Sequence, residues 1–268
     1  MDPFVILTFI VVGLLQILIP IGLGYWARKK FDVKWKVFAY GALFFILVQV
    51  VHIPLVLVTQ TPIALYLTQL AIGQMVILII LAIYLGLLAG LFEELGRFFV
   101  FKRFFRRKKI KLNKENALMF GLGWGGLESI FIAMIMFLTM FSYTVATSLT
   151  EQDLLDLKEQ YGDILTQEQL DAIKAQSEAF VNLTPLDLLP SLFERIMALV
   201  LQIAFTLLVF TSVLNSRKLL LYLAIAWHAA VDFTAVILIS LTDVFIAELG
   251  ILMFALIAFF YIERVFKK

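Results

Sequence analysis

Long runs without charge alternate along this chain with short basic or acidic connectors. A helix rises ~1.5 Å per residue, so ~20 apolar residues cross a ~30 Å hydrocarbon core. Seven segments reach that length: 4–26, 37–58, 68–101, 117–143, 191–214, 219–241 and 244–263. None shows the period-two alternation of a barrel strand, and helices are then the structure that satisfies the backbone in lipid. The pattern predicts an all-α, polytopic membrane helix bundle of about seven transmembrane helices. The third segment is long and predicts either one tilted helix or a bend near Gly86 and Gly90. No internal repeat stands out, and the whole is read as a single membrane domain over 1–268.

The connectors set the expected orientation. One group of loops carries Arg28, Lys29, Lys30, Lys34 and Lys36, then KRFFRRKKIKLNK (102–114), Arg217, Lys218, Arg264, Lys267 and Lys268. The other group carries almost no basic residue beyond Lys158 and Lys174. Basic loops stay cytoplasmic, so the N-terminus is expected outside and the C-terminus in the cytoplasm. The longest loop, 144–190, is acidic and expected outside. Thr150 and Thr166 precede acidic or amide-rich turns as helix N-caps do, and Leu154, Leu155 and Leu157 give the first an apolar side. Two short amphipathic helices are expected there, with a plain solvated loop as the alternative. The start, MDPF, lacks a basic n-region, and its apolar run is followed by ArgLysLys. It reads as a retained helix rather than a cleaved signal.

Composition agrees and removes several chemistries. The chain is 62% hydrophobic and 16% charged, far from the balance of a soluble domain. It has no cysteine, which rules out disulfides, thiolate catalysis and cysteine-bound zinc. The basic residues flank apolar spans and show no nucleic-acid signature; membrane lipid is the expected partner. A multi-pass protein of the plasma membrane is the expected setting.

An ionised side chain at the bilayer centre costs at least ~2.5–3.5 kcal/mol, so each polar residue inside a span needs a reason. They are Gln49, His52, Glu93, Glu94, Arg97, Glu128, Gln202, His228 and Asp232. Measured from the basic ends at ~1.5 Å per residue, Glu93 and Glu94 lie ~12–14 Å in, Glu128 ~17 Å, Gln202 ~19 Å, His228 ~14 Å and Asp232 ~20 Å. Four helices thus place polar groups in one slab, as a shared cavity requires. Glu93 and Arg97 are i,i+4 and can pair, whereas Glu94 points ~100° away. One carboxylate held ionised beside a second whose burial disfavours charge makes a general base. A snorkelling cluster near the interface is the plain alternative.

His228 and Asp232, in WHAAVDF, are i,i+4 on one face, so the carboxylate can orient the imidazole, or both can bind a metal. A structural hydrogen bond is the alternative. Glu128 ends GLGWGGLES (121–129), and no Lys or Arg on its own segment neutralises it. The glycines there, like Gly86 and Gly90, suit close helix packing or room for a peptide. His52, three after Gln49, serves the same site or caps a helix contact. Glu194 and Arg195, near the outer end of the fifth segment, read as a structural or interfacial pair.

EExxR on one membrane helix, a Gly-rich segment ending in Glu and HxxxD on a late helix together resemble the YhfC family of predicted intramembrane metalloproteases. That family is similar to the wider group of type II CAAX prenyl endopeptidases and bacteriocin-processing membrane enzymes. The resemblance implies an intramembrane peptidase in which Glu93 acts on water, assisted by Glu94 and Arg97. His228 and Asp232 would match the late histidine and its polar companion, with Glu128 a further ligand or proton carrier. It implies zinc as the candidate metal, with His228, Glu128, Glu94 and His52 as candidate ligands, and a peptide or membrane protein as substrate. The wider group has EExxxR and HxxxN where this chain has EExxR and HxxxD. It also carries a second histidine on a middle helix, where this chain has Trp124 and Gln202. Two other classes remain: a non-catalytic scaffold, partner-binding or immunity protein on the same fold, and a proton-coupled transporter.

Overall fold

The computed structural model describes residues 2–148, 150, 152, 153, 156, 159, 160 and 166–267, the Leu170 side chain excepted. Among them every regular element is helical. The helices are α1 (Pro3–Phe31), α2 (Trp35–Gln69), α3 (Gln74–Phe99), α4 (Lys114–Ala146), α5 (Gln167–Val181), α6 (Leu189–Leu214), α7 (Lys218–Leu241) and α8 (Val244–Lys267). A π-helical turn, Val100–Phe104, and a short turn, Phe105–Arg107, extend α3; a 3-10 turn, Pro185–Leu188, leads into α6. Among the described residues seven helices are long and apolar enough to cross a membrane, all but α5. The chain is an all-α, multi-pass membrane protein.

The sequence expectation misplaced one junction. It ended the second span at 58 and began the third at 68, whereas α2 runs to Gln69 and α3 begins at Gln74. Pro54 and Pro62 lie inside α2, where proline in a membrane helix is tolerated. The reversal comes at Ala71, with φ of 52°, and at Gly73, which caps α3. Neither Gly86 nor Gly90 marks the irregularity of this segment, which is the π turn beyond Phe99.

The chain forms two compact units. The first comprises 1–17 and 130–192. Its core is Val5, Phe9, Val12, Met136, Tyr143 and Leu188, with Phe180 of α5 packed alongside. Tyr143 is its centre: the ring meets Phe9 at 5.8 Å and Phe180 at 6.0 Å, and the hydroxyl accepts from the Asp2 backbone N–H at 3.0 Å. Thr166 closes the capping box of α5 with Gln169, as its spacing predicts. Thr150 and Asp153 exchange hydrogen bonds in the same pattern, but Leu154, Leu155 and Leu157 lie outside the described residues.

The second unit comprises 18–129 and 193–268 and contains every candidate site residue. Two backbone crossings shape it. A Cβ at Gly86 would stand 2.6 Å from the Ala229 carbonyl oxygen, and one at Gly90 would stand 2.7 Å from that of Ile225. The GxxxG pair therefore sets α3 against α7 at backbone contact, which brings Glu93 and Glu94 level with His228. The Gly-rich segment of α4 does the same on two sides. A Cβ at Gly123 would lie 2.0 Å from the Phe38 carbonyl oxygen of α2, and one at Gly125 would lie 2.8 Å from the Gln202 Cβ of α6.

Candidate functional site

Helix α3 delivers Glu93, Glu94 and Arg97 to the interior, and all three are buried. The Arg97 guanidinium organises the site. Its Nη1 donates to Glu94 Oε1; its Nη2 donates to Glu93 Oε2 at 3.0 Å and to the Gln202 amide oxygen. The planar fork also lies 4.4 Å from the Trp124 ring centroid, a cation–π contact. The i,i+4 spacing foretold the pairing with Glu93. It did not foretell that Arg97 also holds Glu94, three positions back. A guanidinium has five donors in a fork and can serve both turns at once.

Four side chains donate to Glu93. Gln49 Nε2 reaches Oε1 at 3.0 Å; Arg97, Trp124 Nε1 at 3.0 Å and Gln202 Nε2 at 3.3 Å converge on Oε2. Trp124 and Gln202 thus occupy the middle-helix positions as hydrogen-bond donors. Gln202 Nε2 also donates to Glu128 Oε2 at 2.6 Å, linking Glu128 to the α3 cluster.

His228 sits on α7, 134 positions from Glu94, with its Nδ1 2.7 Å from Glu94 Oε1. Phe205 stacks on the ring at 4.7 Å and an interplanar angle of 14°, fixing its plane. Asp232 is less close: its Oδ2 lies 3.7 Å from Nε2, beyond direct hydrogen-bond length. His52 stands one link outside. Its Nδ1 meets the Gln49 amide oxygen at 3.0 Å and its ring stacks on Phe92, so it reaches Glu93 through Gln49.

Arg195 extends the sequence expectation. The sequence pairs it with Glu194 and finds no cation for Glu128 on that residue's own segment; the cation comes from another helix. Arg195 does bind Glu194, but its Nη1 also donates to Glu128 Oε1 at 2.9 Å. A signal was available: Arg195 and Gln202 are seven apart on α6, two turns, so both face Glu128.

These groups border one cavity of about 160 Å³. Glu93, Glu128, Arg195, Gln202, His228 and Asp232 line it; Glu94 and Arg97 lie behind it. Water occupies ~30 Å³ in the liquid, so the space admits a few molecules or a short piece of extended chain.

The four side chains expected as metal ligands do not assemble. Among the described residues no three His, Asp or Glu side chains form a metal-holding group. Glu94 Oε1 and the His228 Nδ1 are engaged with each other, Glu128 is held by Arg195 and Gln202, and His52 faces Gln49. The donor set as folded does not fit zinc, which needs three or four converging protein ligands.

A family model described as YhfC intramembrane metalloprotease matches residues 15–260. A Bacillus subtilis protein described as "Uncharacterized membrane protein YhfC" is 31% identical over 232 residues, which cover 84% of this chain and 81% of that protein. No solved structure matches.

Proposed function

The chain belongs to the YhfC family and is a multi-pass protein of the plasma membrane; on that premise we propose that it is an intramembrane peptidase in which Glu93 activates water. The observation that carries this reading is the convergence of Glu93, His228 and Asp232 on one cavity inside the membrane-spanning bundle. Among the described residues Glu93 Oε1 accepts from Gln49 alone, so it keeps a lone pair for a water proton. Its partner oxygen is held by Arg97, Trp124 and Gln202, which fixes the carboxylate plane.

The water oxygen attacks the peptide carbonyl carbon as its proton passes to Glu93. Charge then develops on the carbonyl oxygen, and His228, held at Nδ1 by Glu94, donates from Nε2 to stabilise it. The proton on Glu93 is next delivered to the departing nitrogen as the C–N bond breaks. Asp232 beside Nε2 favours the donor form of the ring.

The test is cleavage of a library of quenched hydrophobic peptides by the purified protein in liposomes. Glu93→Gln keeps the shape of the side chain and should lose cleavage while retaining its helical content. Cleavage at the wild-type rate in that variant would sink the mechanism.

One observation favours a second reading, a non-catalytic scaffold or partner-binding protein. Glu93 has four donors, which is how a structural carboxylate is satisfied in an apolar interior. That reading expects wild-type and Glu93→Gln proteins to be equally inert towards every peptide and to differ in thermal stability alone.

A further inference from the structure

A second cavity, of about 550 Å³, shares no lining residue with the one beside the glutamate cluster. It opens where three membrane-spanning helices end. Lys114 starts α4, Asn215 follows the last residue of α6, and Arg264 lies in the last turn of α8. Its wall is apolar, through Phe210, Leu214 and Val265 among others. Two lining residues are cations, Lys114 and Arg264, and no lining residue is acidic.

The cations are positioned and not neutralised. Lys114 Nζ donates to the Val265 carbonyl oxygen at 3.2 Å and lies 5.4 Å over the Phe266 ring. An ammonium has three donors, so this contact leaves two unspent. Arg264 is exposed and has no hydrogen bond or ion pair among the described residues. The neighbouring carboxylate, Glu263, is committed to Lys267 at 2.5 Å. An ordinary snorkelling cation spreads into open headgroups, whereas these two face a concavity within the size range of ligand pockets.

From this we infer that the cavity is a binding site for one anionic phospholipid, its phosphate between Lys114 and Arg264 and an acyl chain along the Phe210 and Leu214 wall. Basic pockets between helix ends at a membrane surface favour anionic headgroups through short-range charge. The apolar wall distinguishes a lipid from a free anion, because phosphate alone gains nothing from it. The inference does not depend on catalysis at Glu93.

The test is a thermal-shift titration of the detergent-solubilised full chain. Three probes are used: phosphatidylglycerol, phosphatidylcholine and inorganic phosphate. Phosphatidylglycerol should raise the unfolding temperature saturably, while the other two have little effect. Each cation near an anionic lipid is worth ~1 kcal/mol, or roughly fivefold in affinity. Lys114→Gln with Arg264→Gln should therefore weaken phosphatidylglycerol about 30-fold. Arg103→Gln with Arg107→Gln, exposed cations outside the cavity lining, should leave it unchanged. Should the double variant not fold, Arg264→Gln alone should give about a fivefold loss, since its side chain is exposed. Equal stabilisation by phosphatidylcholine, or by phosphate alone, overturns the inference. So does an equal loss in the Arg103 and Arg107 control, which would mark diffuse surface charge.

Discussion

Glu94 Oε1 and His228 Nδ1 stand 2.7 Å apart, the first group on α3 and the second on α7. The contact exists because Gly86 and Gly90 let the two helix backbones meet one and two turns below it. It also divides the glutamate pair. Glu93 borders the cavity, while Glu94 is fully buried behind it and holds the imidazole. Glu94→Gln should keep the side-chain volume but loosen His228 and leave Arg97 with one carboxylate fewer. Breaking one partner of a buried ion pair costs ~3–5 kcal/mol. The unfolding temperature in detergent should fall, and peptide cleavage should fall at least ~10²-fold, the lower end of a general acid's contribution. Unchanged stability would show that the Glu94 carboxylate supports the fold no better than a neutral amide of the same shape.

Arg97 should tolerate no replacement. Arg97→Ala leaves Glu93 and Glu94 buried without their shared cation, which again costs ~3–5 kcal/mol. Arg97→Lys keeps the charge but loses the fork that reaches Glu93, Glu94 and Gln202 together. Both variants should express poorly or unfold at lower temperature, with the lysine variant the milder. Expression level and thermal unfolding in detergent are the readouts.

The membrane fold was legible because the signal is long: twenty apolar residues cannot be mistaken for a loop. The junction between α2 and α3 was not, because Pro62, just beyond the expected end at 58, looks like a helix end in water and is not one in lipid. The i,i+4 pair of Glu93 and Arg97 could be read from one helix. The reach of Arg97 to Glu94 and Gln202 could not, since it depends on how long side chains fold between helices. Equal depth correctly nominated Glu93, Glu128, Gln202, His228 and Asp232 as neighbours of one cavity. Helix geometry turned Glu94 ~100° from Glu93 but could not say which of the two faces the cavity, and depth could not separate His52 from the inner group. The pairing of Arg195 with Glu194 could be read from adjacent positions, whereas its second reach, inward to Glu128, could not.

Trp124→Phe offers a finer cut at Glu93. It removes the indole N–H that donates at 3.0 Å and keeps a ring beneath the Arg97 guanidinium. A hydrogen bond to a charged group is worth ~1.5–3 kcal/mol, so stability should fall by about that much. Trp124 also helps to fix the plane of the Glu93 carboxylate, so cleavage should fall as well. Thermal unfolding in detergent and the cleavage rate of the variant against wild type measure the two effects.

Gly90→Ala tests the packing that builds the site. An added Cβ would stand 2.7 Å from the Ile225 carbonyl oxygen and 3.5 Å from the His228 Cβ. Backbone cannot move aside as a side-chain tip can, so α7 must shift away from α3. Overpacking of this kind costs ~1–3 kcal/mol. The shift should also lengthen the contact between Glu94 and His228, so cleavage should fall further than stability alone explains. Gly22→Ala, with open space around its Cβ, is the matched control and should change neither.

Glu128 and Arg195 should behave as one unit. Glu128→Gln keeps an oxygen for Arg195 but removes the charge, and Arg195→Met removes the cation while keeping an apolar stem. Each alone leaves a half-buried group with a missing counterpart, so each should destabilise the protein. The double variant removes both charges and should be less destabilised than the sum of the two. Groups in direct contact couple by ~0.5–3 kcal/mol in such a cycle. Thermal or denaturant unfolding of the four proteins measures that coupling. A value near zero would mean that the 2.9 Å contact between Arg195 Nη1 and Glu128 Oε1 contributes nothing to the fold. Arg195 would then be held by Glu194 alone, and Glu128 would depend on Gln202 for its place beside the cavity.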